Sequence, residues 1–385
     1  MTRILVIGGG IAGTASALAL RKAGFEVAVY EAHPDGVEDI GAFLTLASNG
    51  MRALAAIDAT AAVTAIGFPL TSIRLLDASG AEAAHAPMGE AAVPELNFRC
   101  LRRGDLNAAL RAEAARRGVP VRHGARLVGV EDGPDGVTAR FADGSADTGD
   151  LLLGADGLNS TVRALIAPGV RPRYAGQRVF YGRTTDAAPI GASDCITMVR
   201  GSAAAFGCAV SPEGESFWFA RIADEPLTAG EIALGTAGRW RDLLVPLLRA
   251  DDGPGADIVA ATGARLMVTN AMELPLGMDW RSGRVLLLGD AAHAASPATG
   301  QGASMALEDA VVLAKALRDL PGTASALDRY ETLRRERVEH NITTSGAISR
   351  GTFAPSDSAG RPAGKTRPGE DGLAELLRWE SGIGA

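Results

Sequence analysis

The fold is decided by residues 284–310, which read RVLLLGDAAHAASPATGQGASMALEDA. Residues 285–288 form a short apolar run, which is typical of a buried strand in a parallel sheet. Asp290 follows at the carboxyl end of that strand, where open α/β sheets bind their ligands. A loop with one proline and two glycines then leads into a helical pattern that starts at Gly302. We therefore expect a carboxylate and a helix N-terminus to face the same crevice.

A glycine motif follows the first apolar strand of the chain, residues 4–7. It has the spacing Gly8-x-Gly10-x-x-Gly13, and a second apolar run ends at Glu31. Between a strand and a helix, such glycines permit a tight turn, close approach of a pyrophosphate and helix packing, while the acid binds ribose hydroxyls. The motif predicts a site for FAD or NAD, because Glu31 would repel a 2′-phosphate. The alternative is a glycine turn that only packs a βαβ unit.

A further block, GADGLNSTVR at residues 154–163, again places an acid and a glycine after an apolar strand. Ser160 is in position to cap the helix that follows it. Asp156 has two interpretations, either a contact to the bound cofactor or a cap on backbone N–H groups of an ordinary strand-to-helix joint.

Composition narrows the class of protein. The 385 residues are 47% hydrophobic with a formal net charge of -7, which favours a folded enzyme and argues against a nucleic-acid partner. Three cysteines without CxxC spacing indicate neither a disulfide framework nor a metal site, and they fit a reduced, cytoplasmic setting. No signal peptide and no membrane-spanning run is predicted, because the first apolar run breaks at three glycines and no apolar run is long enough.

The pattern of elements predicts an α/β fold in which two lobes alternate along the chain. One is a Rossmann-like nucleotide-binding lobe, and the other is an antiparallel sheet carrying the substrate site. A Pro-, Gly- and Ser-rich segment near the C-terminus predicts a flexible linker before a short helix. The predicted ranges are 1–70, 98–174 and 266–350 for the first lobe with its C-terminal helices, 71–97 and 175–265 for the second, and 354–385 for the tail.

Three blocks together resemble the para-hydroxybenzoate hydroxylase family of single-component FAD-dependent monooxygenases. They are GGGIAG at the N-terminus, DGLNSTVR from Asp156, and GDAAHAASPATGQG from Gly289. Their order and separation are similar to the family pattern over roughly residues 2–340. The resemblance implies a GR2-type FAD-binding domain without a separate nicotinamide domain, and no second GxGxxG motif occurs in the sequence.

The resemblance also implies roles for individual residues around FAD. Asp290 would bind the ribityl or pyrophosphate region, Arg103 would approach the flavin, and Asp156 would support the pyrophosphate and the transit of NAD(P)H. The backbone of Leu127 would contact the adenine end. The predicted cofactor-binding set is Gly8, Gly10, Gly13, Glu31, Arg103, Leu127, Asp156, Asp290, Pro297, Gly300, Gly302 and Ala303.

By the same resemblance, the expected activity is hydroxylation of an aromatic or polycyclic small molecule, natural-product intermediates among them, with transient NAD(P)H and O2. In the family the reaction passes through a flavin C4a-hydroperoxide. A flavin oxidase or dehydrogenase of the same fold and a non-catalytic ligand-binding flavoprotein are the alternatives. A halogenase is disfavoured because its WxWxIP motif is absent. No nucleophile is expected, since the cofactor carries the difficult step, and no residue is assigned as catalytic.

Other polar and aromatic residues have two interpretations each. His293 could be a general base, but a local hydrogen bond that holds its loop is the favoured interpretation. Alternating residues of the antiparallel sheet could line the substrate site, although most such residues are plain core. The candidates are Tyr181, Arg183, Met198, Arg200, Phe206, Phe217, Phe219 and Arg221.

Two positions depart from the family pattern. Many relatives carry an acidic residue or an arginine a few positions before the glycine that matches Gly41, whereas here Glu38 and Asp39 precede it and no arginine does. Ser304 stands where many relatives have asparagine. Contacts to the flavin ring edge or ribityl chain are the ones affected.

Overall fold

The computed structural model describes residues 2–34, 42–90, 92–352 and 372–384. Its strands, in chain order, are β1 (Arg3–Ile7), β2 (Glu26–Tyr30), β3 (Phe43–Leu46), β4 (Phe68–Leu70), β5 (Ser72–Leu76), β6 (Glu82–Pro87), β7 (Phe98–Arg102), β8 (Val121–Arg122), β9 (Leu127–Gly133), β10 (Gly136–Phe141), β11 (Ala146–Gly149), β12 (Leu151–Gly154), β13 (Arg173–Thr184), β14 (Cys195–Arg200), β15 (Ala205–Val210), β16 (Ser216–Ala223), β17 (Leu266–Glu273), β18 (Arg281–Ser282) and β19 (Val285–Leu287).

The helices are α1 (Ile11–Lys22), α2 (Ser48–Ala56), α3 (Thr60–Thr64), α4 (Arg103–Arg116), α5 (Thr161–Ile166), α6 (Ala229–Leu234), α7 (Ala237–Leu248), α8 (Gly255–Ala260), α9 (Asp290–His293), α10 (Gly302–Asp319), α11 (Thr323–Ser349) and α12 (Leu373–Leu377). Short 3-10 turns cover Pro94–Leu96 and Pro297–Thr299.

The nucleotide lobe is built on a six-stranded sheet with the order β18-β19-β12-β1-β2-β8. All its pairings are parallel except that of β18 with β19. Its central strands are apolar and almost completely buried, as expected for a parallel sheet covered on both faces. The helix α10 packs against α1, α2 and α11, so the loop before α10 is held over the carboxyl ends of the strands.

The second lobe is a seven-stranded sheet with the order β17-β13-β16-β15-β14-β5-β6. It is antiparallel except for the parallel pair β14 and β5. One face packs on α7 and α8 through a core that includes Phe180, Trp218 and Trp240. The opposite face carries Ile196, Phe217 and other apolar side chains that pack with β3 and β4 of a small sheet, β3-β7-β4.

The fold class is confirmed, and one predicted boundary needs correction. Residues 119–130 contain two strands, because β8 joins the parallel sheet beside β2 and only β9 pairs with β10. Gly235 and the capping residue Thr236 separate α6 from α7. The strand β17 belongs to the large antiparallel sheet, so that lobe extends past the predicted boundary at residue 265.

The tail after α11 falls largely on residues that are not described. The predicted linker, residues 354–372, lies outside the described residues apart from its last position. The short C-terminal helix is present as α12, and it packs on α2 and α10. Lys315 of α10 is buried and donates hydrogen bonds to the backbone oxygens of Leu376 and Arg378, each at 2.6 Å.

Candidate active site

The N-terminal glycine turn is shaped by close backbone contacts. Gly8 has φ +105°, and a Cβ atom on it would lie 2.5 Å from the carbonyl oxygen of Ala155. A Cβ atom on Gly13 would lie 1.9 Å from the oxygen of Gly8, so only glycine fits there. Nothing lies within 4 Å of the Cβ position of Gly10, which therefore faces open space at the start of α1.

Glu31 lies beside this turn, as its position after β2 predicted. Its Oε2 accepts a hydrogen bond from the backbone N–H of Gly9 at 2.7 Å, and its Oε1 accepts one from the N–H of His33 at 2.9 Å. The helix α1 has neither a side-chain cap nor an acidic residue in its first turn. Its free N–H groups and positive dipole end are available to an anion.

Asp156 caps the helix α5. Its Oδ2 accepts hydrogen bonds from the backbone N–H groups of Thr161 at 2.7 Å and Val162 at 3.1 Å, and its Oδ1 accepts one from the hydroxyl of Ser160. Ser160 in turn accepts from the N–H of Arg163 at 2.9 Å, as its capping position predicted. The structure thus favours the capping interpretation of Asp156.

The loop after β19 starts with a sharp bend at Gly289, where φ is +58° and a Cβ atom would lie 2.7 Å from that of Ala12. Asp290 is exposed at the start of α9, and its Oδ1 lies 3.9 Å from the Cβ position of Gly302. The helix α10 begins at Gly302 without a side-chain cap or an acid in its first turn. The predicted pairing of a carboxylate with a helix N-terminus is therefore present.

His293 is buried and holds the loop in place. Its Nε2 lies 2.5 Å from Oδ2 of Asp309, and the same oxygen accepts a hydrogen bond from the N–H of Gly289 at 3.0 Å. The ring packs against Trp280 with 5.7 Å between centroids. With 5% of its surface exposed and both contacts structural, His293 fits the local hydrogen-bonding interpretation.

A cluster of buried charges continues from Asp309 into α11. Arg334 donates to Oδ1 of Asp309 at 2.8 Å and also to Glu308, while Arg337 donates to both oxygens of Glu308 at 2.8 Å. Asn49 of α2 donates to Glu308 at 2.6 Å. Burial opposes ionisation of both carboxyls, but the neighbouring cations more than offset it, so the pKa of Glu308 and that of Asp309 are lowered.

A cavity of about 330 Å³ lies between the two lobes. Small residues of the nucleotide lobe and side chains of the large sheet line it from opposite sides. Among the predicted cofactor residues it includes Gly10, Arg103, Asp290, Pro297, Gly300, Gly302 and Ala303. Gly8, Gly13, Glu31, Leu127 and Asp156 lie outside its lining, with the side chain of Leu127 buried in the core.

The sheet side of the cavity is set by strand register. Tyr181 pairs with Phe219, and Val179 pairs with Arg221, so these four side chains share the face towards the nucleotide lobe. All four line the cavity together with Ile196. Burial raises the pKa of the Tyr181 hydroxyl to about 12, and nearby arginines only partly oppose that shift.

The other predicted substrate residues lie elsewhere. Phe206 points to the opposite face and stacks on Trp218 in the core. Its partner across the strands is Ala220, which lies on the same face of β16 as Trp218. Arg183 is paired with Glu215 at 2.8 Å, and Arg200 is exposed at the end of β14. Neither of these arginines lines the cavity, and Met198 and Phe217 pack in the apolar cluster behind it.

The strand β3 supplies lining residues that sequence reasoning missed. Phe43, Leu44 and Thr45 all line the cavity. The ring of Phe43 packs edge-on against Tyr181 with 6.3 Å between centroids, and Thr45 Oγ1 lies 3.2 Å from the Cβ position of Gly300. The short apolar run after residue 42 predicts a buried segment, but it does not indicate which of its side chains face a ligand.

The departures from the family pattern are only partly visible. Ser304 is buried, and its hydroxyl accepts a hydrogen bond from the N–H of Ala47 at 3.2 Å, so it fastens α10 to the start of α2. Glu38, Asp39 and Gly41 lie outside the described residues.

The donor set suits FAD. Two uncapped helix N-termini and the open space at Gly10 fit a flat, polyanionic dinucleotide. No group of three or more potential metal ligands occurs in the described part of the chain. Its cysteines, Cys100, Cys195 and Cys208, are free and buried. Within the described ranges no helix combines the length and apolarity needed to span a membrane.

Comparison with known proteins gives consistent matches. A family model for an FAD binding domain matches residues 1–224 and 256–345. Aurachin C monooxygenase/isomerase of Stigmatella aurantiaca is 32% identical over 355 residues, which cover 90% of this chain and 88% of that protein. A 3-amino-4-hydroxybenzoate 2-monooxygenase of Streptomyces platensis is 34% identical over 362 residues, covering 87% and 85%. The crystal structure of Klebsiella pneumoniae HpxO with FAD and uric acid has a TM-score of 0.80 at 26% identity and covers 99% and 93%.

Proposed function

The chain belongs to the FAD-dependent aromatic monooxygenase family that resembles para-hydroxybenzoate hydroxylase, and from this membership we propose that it hydroxylates a flat substrate of one or two fused aromatic rings. The family, the FAD cofactor and an enzyme that hydroxylates aromatic small molecules are confirmed predictions, and NAD(P)H is the co-substrate typical of the family. A substrate with two fused rings is supported by the relative named as a 2-heptyl-3-hydroxy-4(1H)-quinolone synthase.

The observation that carries the proposal is the contrast between the two walls of the cavity. On one side lie Gly300, Gly302 and Ala303 with exposed backbone, and on the other lie Phe43, Phe219 and neighbouring side chains. A glycine-rich wall admits a planar ring against the backbone, whereas an aromatic wall stacks on a second planar ring. This arrangement would suit a planar cofactor ring on the glycine side and an aromatic substrate on the side of the sheet.

The residues that would hold FAD follow from the same geometry. Gly10 and the start of α1 would bind the pyrophosphate, and Glu31 would accept hydrogen bonds from ribose hydroxyls. Asp290 would bind the ribityl end, and the N–H groups at the start of α10 would face the flavin ring. Bound FAD would supply the redox chemistry, in which two electrons from NAD(P)H and a proton reduce one oxygen atom of O2 to water while the other enters the substrate.

The protein side chains themselves orient the reactants and control water and protons. The uncapped N-terminus of α10 would stabilise negative charge on a bound cofactor. The apolar wall on the sheet excludes water from the reacting atoms. Because burial raises the pKa of Tyr181 to about 12, this tyrosine stays protonated at neutral pH and acts as a hydrogen-bond donor.

The test is oxygen incorporation by the FAD-loaded protein. We expect NAD(P)H oxidation to be stimulated by a subset of phenols, aminohydroxybenzoates and hydroxyquinolines, and one atom of ¹⁸O₂ to enter the product by mass spectrometry. Stimulated oxidation that yields only hydrogen peroxide and a dehydrogenated product would instead identify an oxidase. Slow reduction of the flavin that no aromatic compound accelerates would identify a ligand-binding flavoprotein.

A further inference from the structure

The side chain of Asn49 fastens the first turn of α2 to the beginning of α10. Its Nδ2 donates one hydrogen bond to Oε1 of Gln301 at 3.1 Å and another to Oε1 of Glu308 at 2.6 Å. Gln301 immediately precedes α10, and Glu308 lies in the second turn of that helix. Both hydrogens of one amide are thus used to join the two helices.

The same joint is held by contacts of the backbone. The N–H of Ala47, directly before α2, donates to Oγ of Ser304 at 3.2 Å. A Cβ atom on Gly50 would lie 2.7 Å from that same oxygen, so the two helices meet closely there. Thr45 Oγ1 lies 3.2 Å from the Cβ position of Gly300. The segment from Gly300 to Ser304 is therefore held in place by the chain around the start of α2.

The joint needs a donor that is neutral. Glu308 is buried, and its carboxylate also accepts hydrogen bonds from Arg334 and Arg337. An amide offers one hydrogen to this carboxylate and one to the carbonyl oxygen of Gln301. Leucine at position 49 would remove both hydrogen bonds, and aspartate would set a second carboxylate against Glu308.

The segment held by Asn49 forms one wall of the cavity. Gly300, Gly302 and Ala303 line it, whereas Asn49 and Gln301 lie behind these lining residues. The helix α10 begins with neither a side-chain cap nor an acidic residue in its first turn. Its N–H groups and positive dipole end therefore favour the reduced, anionic form of a flavin over the neutral oxidised form. Because this effect falls off within one helical turn, it depends on where the first turn of α10 is held.

We propose that Asn49 is a positioning residue that raises the reduction potential of bound FAD by holding the first turn of α10 through Gln301. The inference rests on the proposed placement of the flavin ring at the start of α10. It assigns control of the cofactor to a residue of α2 that lies outside the cavity lining.

The experiment measures the two-electron reduction potential of the FAD-saturated protein, equilibrated with a reference dye during slow reduction at pH 7.5 without an aromatic substrate. Asn49→Leu should lower the preference for reduced over oxidised FAD about threefold, because the start of α10 is released. Asn49→Asp keeps the size of the side chain but adds a negative charge, and it should lower this preference about tenfold. For a two-electron couple, these changes correspond to potentials lower by about 14 and about 30 mV.

A double-mutant cycle tests the route through Gln301. Gln301→Met removes the acceptor and leaves the hydrogen bond between Asn49 and Glu308 in place. It should reproduce most of the change caused by Asn49→Leu, and the double variant should fall no further than Asn49→Leu alone. Changes that add in the double variant would overturn the route through Gln301.

Asn270→Leu is the matched control in the other lobe. The amide of Asn270 accepts a hydrogen bond from the N–H of Leu227 at 3.0 Å and donates one to its carbonyl oxygen at 2.7 Å. This variant should lower the urea midpoint without changing the potential, which separates loss of stability from an effect on the cofactor.

Two results would overturn the role of Asn49. One is a preference for reduced FAD that stays within about 1.5-fold of wild type in both Asn49 variants, and the other is an equal loss in Asn270→Leu. If Asn49→Leu does not fold, Asn49→Asp and Gln301→Met decide the matter. Because the measurement contains no aromatic substrate, oxygen insertion into aromatic compounds would stand if the inference failed.

Discussion

Replacing Arg334 by methionine tests the buried charge cluster beneath the active-site loop. Arg334 is completely buried and donates to Asp309, to Glu308 and, at 3.2 Å, to the backbone oxygen of Met305. Methionine fills a similar volume without charge, so the variant removes the cation and leaves both carboxylates in place. His293 and Arg337 remain as their partners.

The expected loss in the free energy of unfolding is large, because two buried carboxylates would lose a positively charged partner. Breaking a buried ion pair by removing one partner typically costs about 3–5 kcal/mol. Two carboxylates are affected here, but Glu308 keeps its ion pair with Arg337 and Asp309 keeps its contact with His293. We therefore expect a loss of about 3–5 kcal/mol in total rather than twice that amount. The loop that carries Asp290 should also loosen, since Asp309 holds it through the N–H of Gly289.

The destabilisation should depend on pH with a definite sign. In the wild-type protein the folded pKa values of Glu308 and Asp309 are lowered, so their contribution to stability is present above the unfolded values near 4 and is lost below the folded values. Without Arg334 the effect of burial is less completely opposed, so we expect the pKa values of both carboxyls to rise. The free-energy difference between variant and wild type should therefore be largest at pH 7.5 and should shrink towards pH 5, by up to about 1.4 kcal/mol per pH unit for each carboxyl that takes up a proton.

Urea unfolding of the FAD-saturated proteins at pH 7.5, 6.5 and 5.5, followed by circular dichroism, measures both quantities. The matched control is Arg116→Met, which removes an exposed arginine paired with Glu113 on α4, and it should leave the unfolding midpoint unchanged. If Arg334→Met lowers the free energy of unfolding by less than about 1 kcal/mol, or by the same amount at all three pH values, the role given to the buried charge cluster is refuted.

Three other predictions follow from the site and the C-terminal segment. Asp290→Ala should weaken FAD binding at least about tenfold in a fluorescence titration without lowering the unfolding midpoint of the apoprotein, because Asp290 is exposed beside the start of α10; unchanged affinity would refute its cofactor role. Gly13→Ala should abolish soluble expression, since its Cβ would meet the Gly8 oxygen at 1.9 Å, whereas Gly10→Ala should fold and lose FAD, as judged by yield and flavin content. Burial lowers the pKa of Lys315 to about 8 from its ordinary 10.5, so stability should rise with pH between these values, and Lys315→Met should lack that rise in urea midpoints.

Much of the nucleotide lobe could be predicted from sequence because its signals are local. The glycines at 8, 10 and 13 and the acid at 31 work through spacing within one βαβ unit, and the structure places them as that spacing implies. Asp156 shows the limit of such a signal. The same residue type in the same loop serves either a ligand or a helix cap, and only the positions of the α5 N–H groups distinguish the two.

The substrate wall was harder to predict because both faces of the large sheet are apolar. Phe206, Phe217 and Phe219 have the same alternation, but register with the neighbouring strands sends Phe206 into the core beside Trp218. The sequence of a single strand does not determine which face of the sheet packs on α7 and α8, because that depends on tertiary packing. Phe43 was missed for a related reason, since its role depends on contact with β13 and β16, which come more than a hundred residues later in the chain.

The strand order of the parallel sheet has a consequence for synthesis of the chain. The inner strand β12 pairs on one side with β1, made at the very start, and on the other with β19, which begins at Val285. Roughly 130 residues separate β12 from β19, which corresponds to about 7–26 s of translation at typical ribosome speeds. Throughout that interval the apolar edge of β12 has no neighbour and can pair with other chains. We therefore expect the nascent protein to depend most on chaperones just before β19 pairs with β12.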